Sequence, residues 1–405
     1  MLKKIFLKRL PNKLGQTISL DDLDGVAHGI PGEWALFVTK NSAQTNKLGL
    51  LGFINMFQQQ GIVGQLVGGS NLGFDQVDEN ISVEKVIVSI LKRAFALRYQ
   101  VLNYQENARL FFGFQDGLPG LIIDSYSNAI LVQINTAGVD NYRSIIEQTI
   151  KSEISEKNPI IFLDQSAARQ KEQLPEYEKS KTPMPEFIEV IEGRIQLKIH
   201  RDKLQKQGYY YDHRDNRDRL YQKLTQLKLD KNKGLDLFCY HGSWGITLLQ
   251  AGVEHVDFVD QGNLGTEVFQ NLGFNNLHQR KGDFFEQDAF SFLDQQFAKG
   301  ATYNVIVSDP PSFTKSPTKL SQSLSGYKNL HTKVLHCAAP QSLVVFCSCT
   351  SYVTIEKFEE TIQLASQQSK RKLRLVDIGL QALDHPVRKL NDKSNYLKYL
   401  AYIVE

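Results

Sequence analysis

The sequence has few cysteines and no long apolar run. Only four cysteines occur in 405 residues, without a CxxC or Cys/His ligand spacing. This pattern excludes a disulfide framework and predicts reduced thiols and no structural metal. No run reaches about 18 apolar residues, so a membrane-spanning helix is not expected. Basic residues interrupt the apolar ones in the first segment, "MLKKIFLKRLPNK", which favours a cytoplasmic protein over a secreted one.

A strong net charge of either sign is also absent. The formal net charge is +3, with 41% hydrophobic and 22% charged residues. This composition is typical of a globular protein and fits neither the disordered nor the membrane class. The length predicts two or three domains. The weak positive charge permits a nucleic-acid partner without requiring one.

The first half of the chain divides into two predicted regions. Short β-type runs broken by Gly and Asn predict a small, mostly-β module over residues 1–75. A central α+β subdomain over 76–193 follows, with an amphipathic helix at 81–101 and a hairpin at 117–135. The polar, Pro-containing stretch 171–187 is interpreted as a loop or linker.

Residues 194–405 alternate between strand and helix patterns. The strand segments are near-continuous apolar runs, as in parallel strands covered on both faces. These runs are "GLDLFC" (234–239), "HVDFVD" (255–260), "YNVIVSD" (303–309) and "LVVFCSC" (343–349). The segments between them are long enough for crossover helices, which predicts a doubly wound α/β sheet. Two further strands, "KLRLVDIGL" and "YLKYLAYIVE", are expected to close it.

Polar residues follow the first strands of this sheet, where ligands bind in open α/β folds. Gly242 and Gly245 follow the first strand, although two such glycines are also common in ordinary turns. Asp260 ends the second strand, 18 residues past Gly242, where an adenosine ribose is gripped. The dinucleotide pattern G-x-G-x-x-G is absent. Asp283 is expected at the end of the next strand, within reach of an adenine amino group, or else as a surface loop residue.

The last two parallel strands end in residues that suit a flat ring. In "SDPPSF", Pro310 and Pro311 fix a turn after Asp309, and Phe313 offers a stacking face. Methyltransferases use DPP and an aromatic residue to hold a planar nitrogen heterocycle, whereas a simple structural turn is the alternative. Cys349 ends the fifth predicted strand and is either a packed apolar residue or a nucleophile.

These motifs resemble one known family. The matching segments are "GFQDGLPGLIIDSY", "QGYYYDHRDNR", "LDLFCYHGSWG", "VSDPPSF", "SGYKNLH", "FCSCTS", "LDHPV" and "YLKYLAYIV". In this order, residues 109–405 resemble the bacterial S-adenosylmethionine-dependent ribosomal RNA cytosine-5 methyltransferases of the large subunit. The resemblance implies a class I methyltransferase fold, an N-terminal PUA-like module, S-adenosylmethionine as cofactor and large-subunit RNA as partner.

The resemblance also implies roles for individual residues. Cys349 is the expected nucleophile, Asp309 is expected to hold the cytosine, and Cys347 is expected to pack. Cofactor contacts are expected from Tyr210, Asp212, Arg214, Phe238, Tyr240, Gly242, Asp260, Asp283 and Asp309. Substrate contacts are expected from Pro310, Pro311, Phe313 and Lys328. A free thiol is only about 3% ionised at pH 7, so a nearby charge is needed, with Lys328 and Arg214 as candidates.

The sequence departs from the family pattern at three positions and leaves alternatives open. Ser243 replaces a second glycine, His241 a small hydroxyl residue and His213 a glutamine. One alternative is an enzyme that methylates an exocyclic amine of adenine or guanine, with Cys349 as a packing residue. Another is an RNA-binding assembly protein with a decayed cofactor site. The basic segment 193–207 is either a solvated face or an RNA contact, and a homodimer is one option for the assembly state.

Overall fold

The computed structural model divides the chain into two compact units. It describes residues 1–9, 17–25, 30–40, 49–55, 62–67, 79–104, 107–175, 182–204, 208–278, 281–314, 316–387 and 394–405. The first unit contains Met1–Ile188, Leu204–Tyr209 and Asp384–Pro386, and the second contains Glu189–Lys203, Tyr210–Leu383 and Val387–Glu405. The predicted division at residues 75 and 193 differs from this one and stays a prediction.

The first unit contains two sheets. The five-stranded sheet has the order β1-β3-β4-β5-β2, with β1 (Lys3–Phe6), β2 (Thr17–Ser19), β3 (Trp34–Val38), β4 (Leu50–Ile54) and β5 (Ile62–Leu66). The four-stranded sheet runs in chain order through β6 (Ala108–Phe112), β7 (Leu121–Tyr126), β8 (Ala129–Ile134) and β9 (Ile160–Phe162). Strands β7 and β8 pair antiparallel, which confirms the predicted hairpin.

Helices complete the core of the first unit. They are Val83–Ala96, Gly113–Asp116, Ala137–Asp140, Arg143–Glu153 and Ala167–Lys171, with a π-helical turn at Leu97–Val101 and a 3-10 turn at Leu20–Asp22. The helix Val83–Ala96 buries Val86, Ile87, Ile90 and Leu91, as its predicted amphipathic pattern requires. Directly after it, buried Arg98 forms a two-pronged ion pair with Asp116 at 2.7 Å.

A seven-stranded sheet forms the centre of the second unit. Its order is β14-β13-β12-β15-β16-β18-β17. The strands are β12 (Lys233–Leu237), β13 (His255–Asp260), β14 (Gly282–Glu286), β15 (Tyr303–Ser308), β16 (Ala338–Ser348), β17 (Leu373–Gly379) and β18 (Lys398–Val404). The five strands β12 to β16 are parallel, while β18 runs antiparallel between β16 and β17. A separate two-stranded sheet joins β10 (Phe187–Glu192) and β11 (Ile195–His200).

The crossover helices follow the predicted alternation. They are Arg214–Gln226, Ser243–Gln250, Gly265–Phe274, Ala289–Ala298, Leu320–His336 and Ile355–Ser369, with 3-10 turns at Arg201–Lys203, Tyr211–His213 and Pro317–Lys319. Apolar side chains of β12, β15 and β16 share one core with the last three of these helices. The predicted α/β fold with a Rossmann-like sheet is therefore confirmed. In the part of the chain that the structure describes, no helix is long and apolar enough to cross a membrane.

Truncating the centre of this sheet tests the assignment of its core. Leu235 on β12 is fully buried, whereas Leu364 on the helix Ile355–Ser369 is 41% exposed. We expect Leu235→Ala to lower the free energy of unfolding by about 2–5 kcal/mol, because it leaves a cavity. The matched Leu364→Ala change should cost under about 0.5 kcal/mol. Urea unfolding measures both, and equal losses would contradict the core assignment.

Candidate active site

The carboxyl ends of four parallel strands meet at one edge of the sheet. Leu237 at the end of β12 pairs with Val259 on one side and with Ser308 on the other. Ser308 in turn pairs with Phe346 on β16. The segments that follow these strands carry most of the residues singled out in the sequence. This edge is therefore the candidate active site.

The loop after β12 has an unusual backbone. Phe238, Tyr240 and Gly242 have φ angles of 61°, 49° and 84°. This left-handed region is readily accessible to glycine but costly for larger side chains. Gly242 is the N-cap of the helix Ser243–Gln250, so the loop turns sharply from strand to helix.

A buried carboxylate holds this loop against the sheet. The Gly245 amide donates a 2.7 Å hydrogen bond to Asp236 Oδ2. A Cβ on Gly245 would lie 2.0 Å from Phe258 Cε1, so only glycine permits this approach. Asp236 is fully buried, which raises its pKa well above the usual value. Its Oδ1 has no hydrogen-bond partner among the described residues, and the sequence motifs did not single it out.

Asp260 joins the loop after β12 to the loop after β13. Its Oδ2 accepts a hydrogen bond from the Tyr240 amide at 3.0 Å, and its Oδ1 accepts one from the Gly262 amide at 2.8 Å. The residue ends β13, as predicted. Both carboxylate oxygens are thereby oriented beside the glycine loop. The assigned contact with a ribose stays a prediction.

The position expected for Asp283 is wrong. Asp283 is the second residue of β14 and pairs with Asp257 near the amino end of β13. Its side chain is 66% exposed and lies 3.1 Å from His255 Nε2. The segment "GDFFE" is itself the strand, so its carboxyl end is Glu286, about 10 Å further along at 3.3 Å per residue.

A different carboxylate occupies the expected place after β14. Asp288 follows Glu286 by two residues and is the N-cap of the helix Ala289–Ala298. Gln261, the residue after Asp260, donates a 2.9 Å hydrogen bond to Asp288 Oδ2. Asp288 therefore replaces Asp283 as the acidic residue beside the Asp260 loop. The sequence analysis placed the end of this strand at Asp283 instead of Glu286, and it therefore missed Asp288.

Asp309 contacts two polar side chains at the end of β15. Trp244 Nε1 donates to its Oδ2 at 3.0 Å, and His213 Nε2 lies 3.3 Å from its Oδ1. The Asn216 amide nitrogen lies 3.2 Å from His213 Nδ1 and orients the ring with Nε2 towards Asp309. Burial raises the pKa of Asp309, but His213, Trp244 and Arg217 outweigh it, and the net pKa lies below the usual value. Asp309 is therefore an ionised acceptor at neutral pH.

A buried ion pair supports the same region. Arg217 forms two hydrogen bonds with Glu192, at 2.6 and 2.7 Å, and donates a third to the Tyr210 carbonyl at 3.0 Å. The Tyr210 ring packs edge-on against Tyr240 at 5.4 Å, and burial raises the pKa of Tyr210 to about 12. Tyr210 is thus placed beside the loop after β12. Arg217 and Glu192 were not predicted, because buried ion pairs give no local sequence signal.

Asp212 and Arg214 lie beside Tyr210 in the chain but have other neighbours. The Tyr396 hydroxyl donates a 2.7 Å hydrogen bond to Asp212 Oδ2. The Arg214 guanidinium lies 5.1 Å from the Tyr211 ring centroid. Both residues are buried. Their assigned cofactor contacts stay predictions.

Cys349 differs from the other three cysteines in its exposure. Cys239, Cys337 and Cys347 are buried, whereas Cys349 is half-buried just beyond β16. Burial raises the pKa of Cys347 well above the usual value, so this thiol stays protonated. Cys349 Sγ lies 3.9 Å from the Pro310 carbonyl oxygen. Cys347 is placed in the core, and Cys349 is placed beside the DPPSF turn.

Hydrogen bonds join the turn after β15 to the segment after β16. The hydroxyls of Ser312 and Thr350 lie 3.1 Å apart. The Tyr327 hydroxyl bridges Ser348 and Thr350 at 2.8 Å each. Phe313 stacks on the Tyr327 ring at 4.4 Å. The two strand-end motifs are therefore one hydrogen-bonded unit.

The four expected substrate contacts stay predictions. Pro310 and Pro311 form the turn beside Cys349, while Lys328 is half-buried on the helix Leu320–His336. Phe313 has Tyr327 against one ring face. The substrate roles of these residues stay predictions.

Two groups of potential metal ligands are already engaged by protein partners. In the first, His213, Asp309 and Cys347 have ligand atoms within 4.8 Å of one another, but His213 Nε2 already lies 3.3 Å from Asp309 Oδ1. In the second group, around His255 and Asp283, Asp257 pairs with Lys233 at 2.8 Å. The expectation that the protein needs no metal stays a prediction.

The residues at this edge fit S-adenosylmethionine. The loop after β12 forms a backbone cradle that packs tightly on Phe258 through Gly245, and Asp236 Oδ1 is a buried polar atom beside Gly245. Asp260 places a carboxylate next to this loop and Asp288 places one next to the loop after β13, where hydroxyl and amine groups of an adenosine could donate. The fold and this site define a methyltransferase of the class I fold, with S-adenosylmethionine as its cofactor.

Comparisons with known proteins agree with this class. No protein-family model matches the sequence. The chain is 30% identical over 294 residues to ribosomal RNA large subunit methyltransferase I of Pseudoalteromonas atlantica, covering 72% of this chain and 73% of the relative. The protein of the same name from Shewanella frigidimarina is 28% identical over 315 residues, covering 76% and 78%. The chain therefore belongs to the ribosomal RNA large subunit methyltransferase I family.

Solved structures confirm the fold over the whole length. A protein classed as a methyltransferase and solved with SAH bound has a TM-score of 0.76 at 17% identity, with both chains fully covered. An S-adenosylmethionine-dependent methyltransferase structure from Streptococcus mutans has a TM-score of 0.74 at 16% identity, again over both full chains. At these identities the likeness concerns the fold alone.

The glycine cradle can be tested with two alanine substitutions. We expect Gly245→Ala to weaken S-adenosylmethionine binding at least about tenfold, because the new Cβ displaces either Phe258 or the loop. Gly273→Ala is the matched control, since that helical position has nothing within 4 Å of the added Cβ. Isothermal calorimetry measures both affinities. Unchanged binding by Gly245→Ala would contradict the cradle.

The pKa of Asp309 predicts how stability depends on pH. Because its folded-state pKa is lowered, Asp309 stabilises the fold above pH ~4 and loses this contribution as the pH falls through its folded value. We expect Asp309→Asn to be less stable than wild type by about 1–3 kcal/mol at pH 7, since the neutral amide loses the charge interactions with His213 and Arg217. Urea unfolding at pH 7, 4 and 3 should show this gap narrowing. A gap that is constant with pH would rule out the ionised pair.

Proposed function

We propose that this protein transfers a methyl group to carbon 5 of a cytosine in large-subunit ribosomal RNA, with Cys349 as nucleophile. The supporting observation is the half-buried thiol of Cys349, placed 3.9 Å from the Pro310 carbonyl at the edge that fits the cofactor. The relatives named as ribosomal RNA large subunit methyltransferase I support the choice of RNA.

The chemistry explains why a thiol is needed there. Carbon 5 of cytosine is a poor nucleophile while the ring is aromatic. Addition of the Cys349 thiolate to carbon 6 breaks the aromaticity and makes carbon 5 electron-rich. S-adenosylmethionine, when bound, supplies an electrophilic methyl group on a sulfonium centre. After methylation, loss of the carbon 5 proton and expulsion of the thiolate restore the ring and the enzyme.

Asp309 suits the role of a fixed acceptor in this reaction. Its carboxylate is held by Trp244 and His213, so it is oriented before the substrate arrives. Each oxygen has a second lone pair, which could accept a hydrogen bond from the amino group or from a proton acquired at N3 of the base. Pro310 and Phe313 would then contact the ring from the same turn.

The RNA-binding surface is also part of the proposal. In the basic segment 193–207, Arg194 pairs with Asp218 at 2.5 Å and Lys198 pairs with Glu189 at 3.0 Å. Lys203 donates to the Asn263 carbonyl at 2.9 Å. These partners favour a solvated face over a dedicated phosphate site.

The five-stranded N-terminal sheet is the better candidate for an RNA-binding, PUA-like module. Lys206 lies outside the described residues, and the homodimer stays a prediction.

Amine methylation is the second candidate, favoured by one observation. Asp309 is an ionised acceptor beside the Pro310 carbonyl, and two acceptors are what an exocyclic amine of adenine or guanine requires. In that reaction Cys349 would have no chemical role. The two candidate functions therefore predict different methyltransferase activities for a Cys349 variant.

Nucleoside analysis with two cysteine variants decides between the candidates. Unmodified large-subunit ribosomal RNA is incubated with labelled S-adenosylmethionine and wild type, Cys349→Ala or Cys347→Ala, then hydrolysed for mass spectrometry. We expect 5-methylcytosine with wild type and a decrease of at least about 100-fold with Cys349→Ala, because the thiolate adduct cannot form.

The buried neighbour provides the control. Cys347→Ala removes a thiol from the same strand without touching the proposed reaction, so it should keep most of the activity. A methylated purine formed equally by wild type and Cys349→Ala would establish the amine reaction instead. Calorimetry with S-adenosylmethionine checks that each variant keeps its cofactor site.

A further inference from the structure

A buried lysine lies on β18, the strand that pairs with β16 next to Cys349. Lys398 begins β18 and pairs with Ser348, the residue before Cys349. Its Nζ donates to the carbonyl oxygens of Thr350 at 2.8 Å and Tyr396 at 2.9 Å. The residue is only 3% exposed. Two fixed carbonyls thus hold the amine beside the segment that carries Cys349.

This amine has no acidic partner in the described part of the chain. Burial lowers the pKa of Lys398 to about 8, while the charge of a Cys349 thiolate acts in the opposite direction. A buried lysine is costly unless its charge is compensated. The carbonyls compensate it only in part, and the charge of a Cys349 thiolate would add to this compensation.

Three other described titratable groups whose interaction with Cys349 is known do not supply positive charge. Tyr210, Tyr327 and Cys347 each interact electrostatically with Cys349. Burial raises the pKa of all three, so they remain neutral at pH 7. Asp309, which acts on the same three side chains, is negative and would disfavour a thiolate. Lys398 is the cation that acts on Cys349 among these neighbours.

We propose that Lys398 is the positioning residue that activates Cys349, by holding an ammonium group where it stabilises the thiolate. This inference rests on the proposed function, in which Cys349 is the nucleophile. Protonation is balanced: with a pKa of about 8 the amine is mostly ammonium at pH 7, so the thiol proton passes to water and leaves a thiolate beside a charge that is already present. No electron is transferred and no further reactant is required. Lys398 takes the role for which the sequence offered Lys328 and Arg214.

The pH dependence of thiol alkylation tests this assignment without requiring methyl transfer. The full-length protein is treated with iodoacetamide across pH 5–10, and modification of Cys349 is localised by tandem mass spectrometry. We expect Lys398→Met to raise the alkylation midpoint by about one pH unit and to slow alkylation at pH 7 about tenfold. Lys398→Arg, which keeps the charge, should stay closer to wild type than Lys398→Met. Exposed Lys299→Met should match wild type.

Two outcomes would overturn the assignment. One is an unchanged midpoint in Lys398→Met when calorimetry shows normal S-adenosylmethionine binding. The other needs no variant: a wild-type midpoint at or above ~8.5, the value of free cysteine, would show that Cys349 is not activated. If Cys349→Ala still methylates RNA, the proposed function fails, while the alkylation midpoints still report separately on Lys398.

Discussion

The register of four neighbouring strands determines the candidate active site. Parallel pairing of β12, β15 and β16 brings the segments after Leu237, Ser308 and Ser348 to one edge of the sheet. Antiparallel pairing of β18 then places Lys398 opposite Ser348. A shift of β18 by one residue would turn Lys398 to the other face. The proposed chemistry of Cys349 depends on this register more than on any single loop.

The sequence predicted the fold well because its strands are buried on both faces. The segments "HVDFVD" and "YNVIVSD" match β13 and β15 closely, and Asp260 ends its strand as expected. The strand β14 was misplaced because "GDFFE" is short and partly exposed, so it lacks a continuous apolar run. Because of this misplacement, the sequence analysis assigned to Asp283 the position that Asp288 occupies in the structure. The error is local and leaves the sheet order unaffected.

The missed residues are buried and polar, and their partners are remote in sequence. Asp236 accepts a hydrogen bond from Gly245, while Arg217 donates to Glu192 and Lys398 donates to Thr350. No short sequence motif encodes such pairs.

The structure accommodates the three departures from the family pattern in different ways. His213 in place of glutamine lies 3.3 Å from the Asp309 carboxylate, Ser243 begins the helix, and burial lowers the pKa of His241 to about 3, which keeps it neutral.

Trapping the covalent adduct tests the central claim most directly. Fluorine at carbon 5 cannot leave as a proton, so RNA containing 5-fluorocytosine should hold the thiolate adduct after methylation. Incubation with S-adenosylmethionine, digestion and mass spectrometry then identify the modified peptide. The account predicts a pyrimidine attached to Cys349 and none with Cys349→Ala. Methylation of unsubstituted RNA at cytosine without any such adduct on the fluorinated RNA would contradict it.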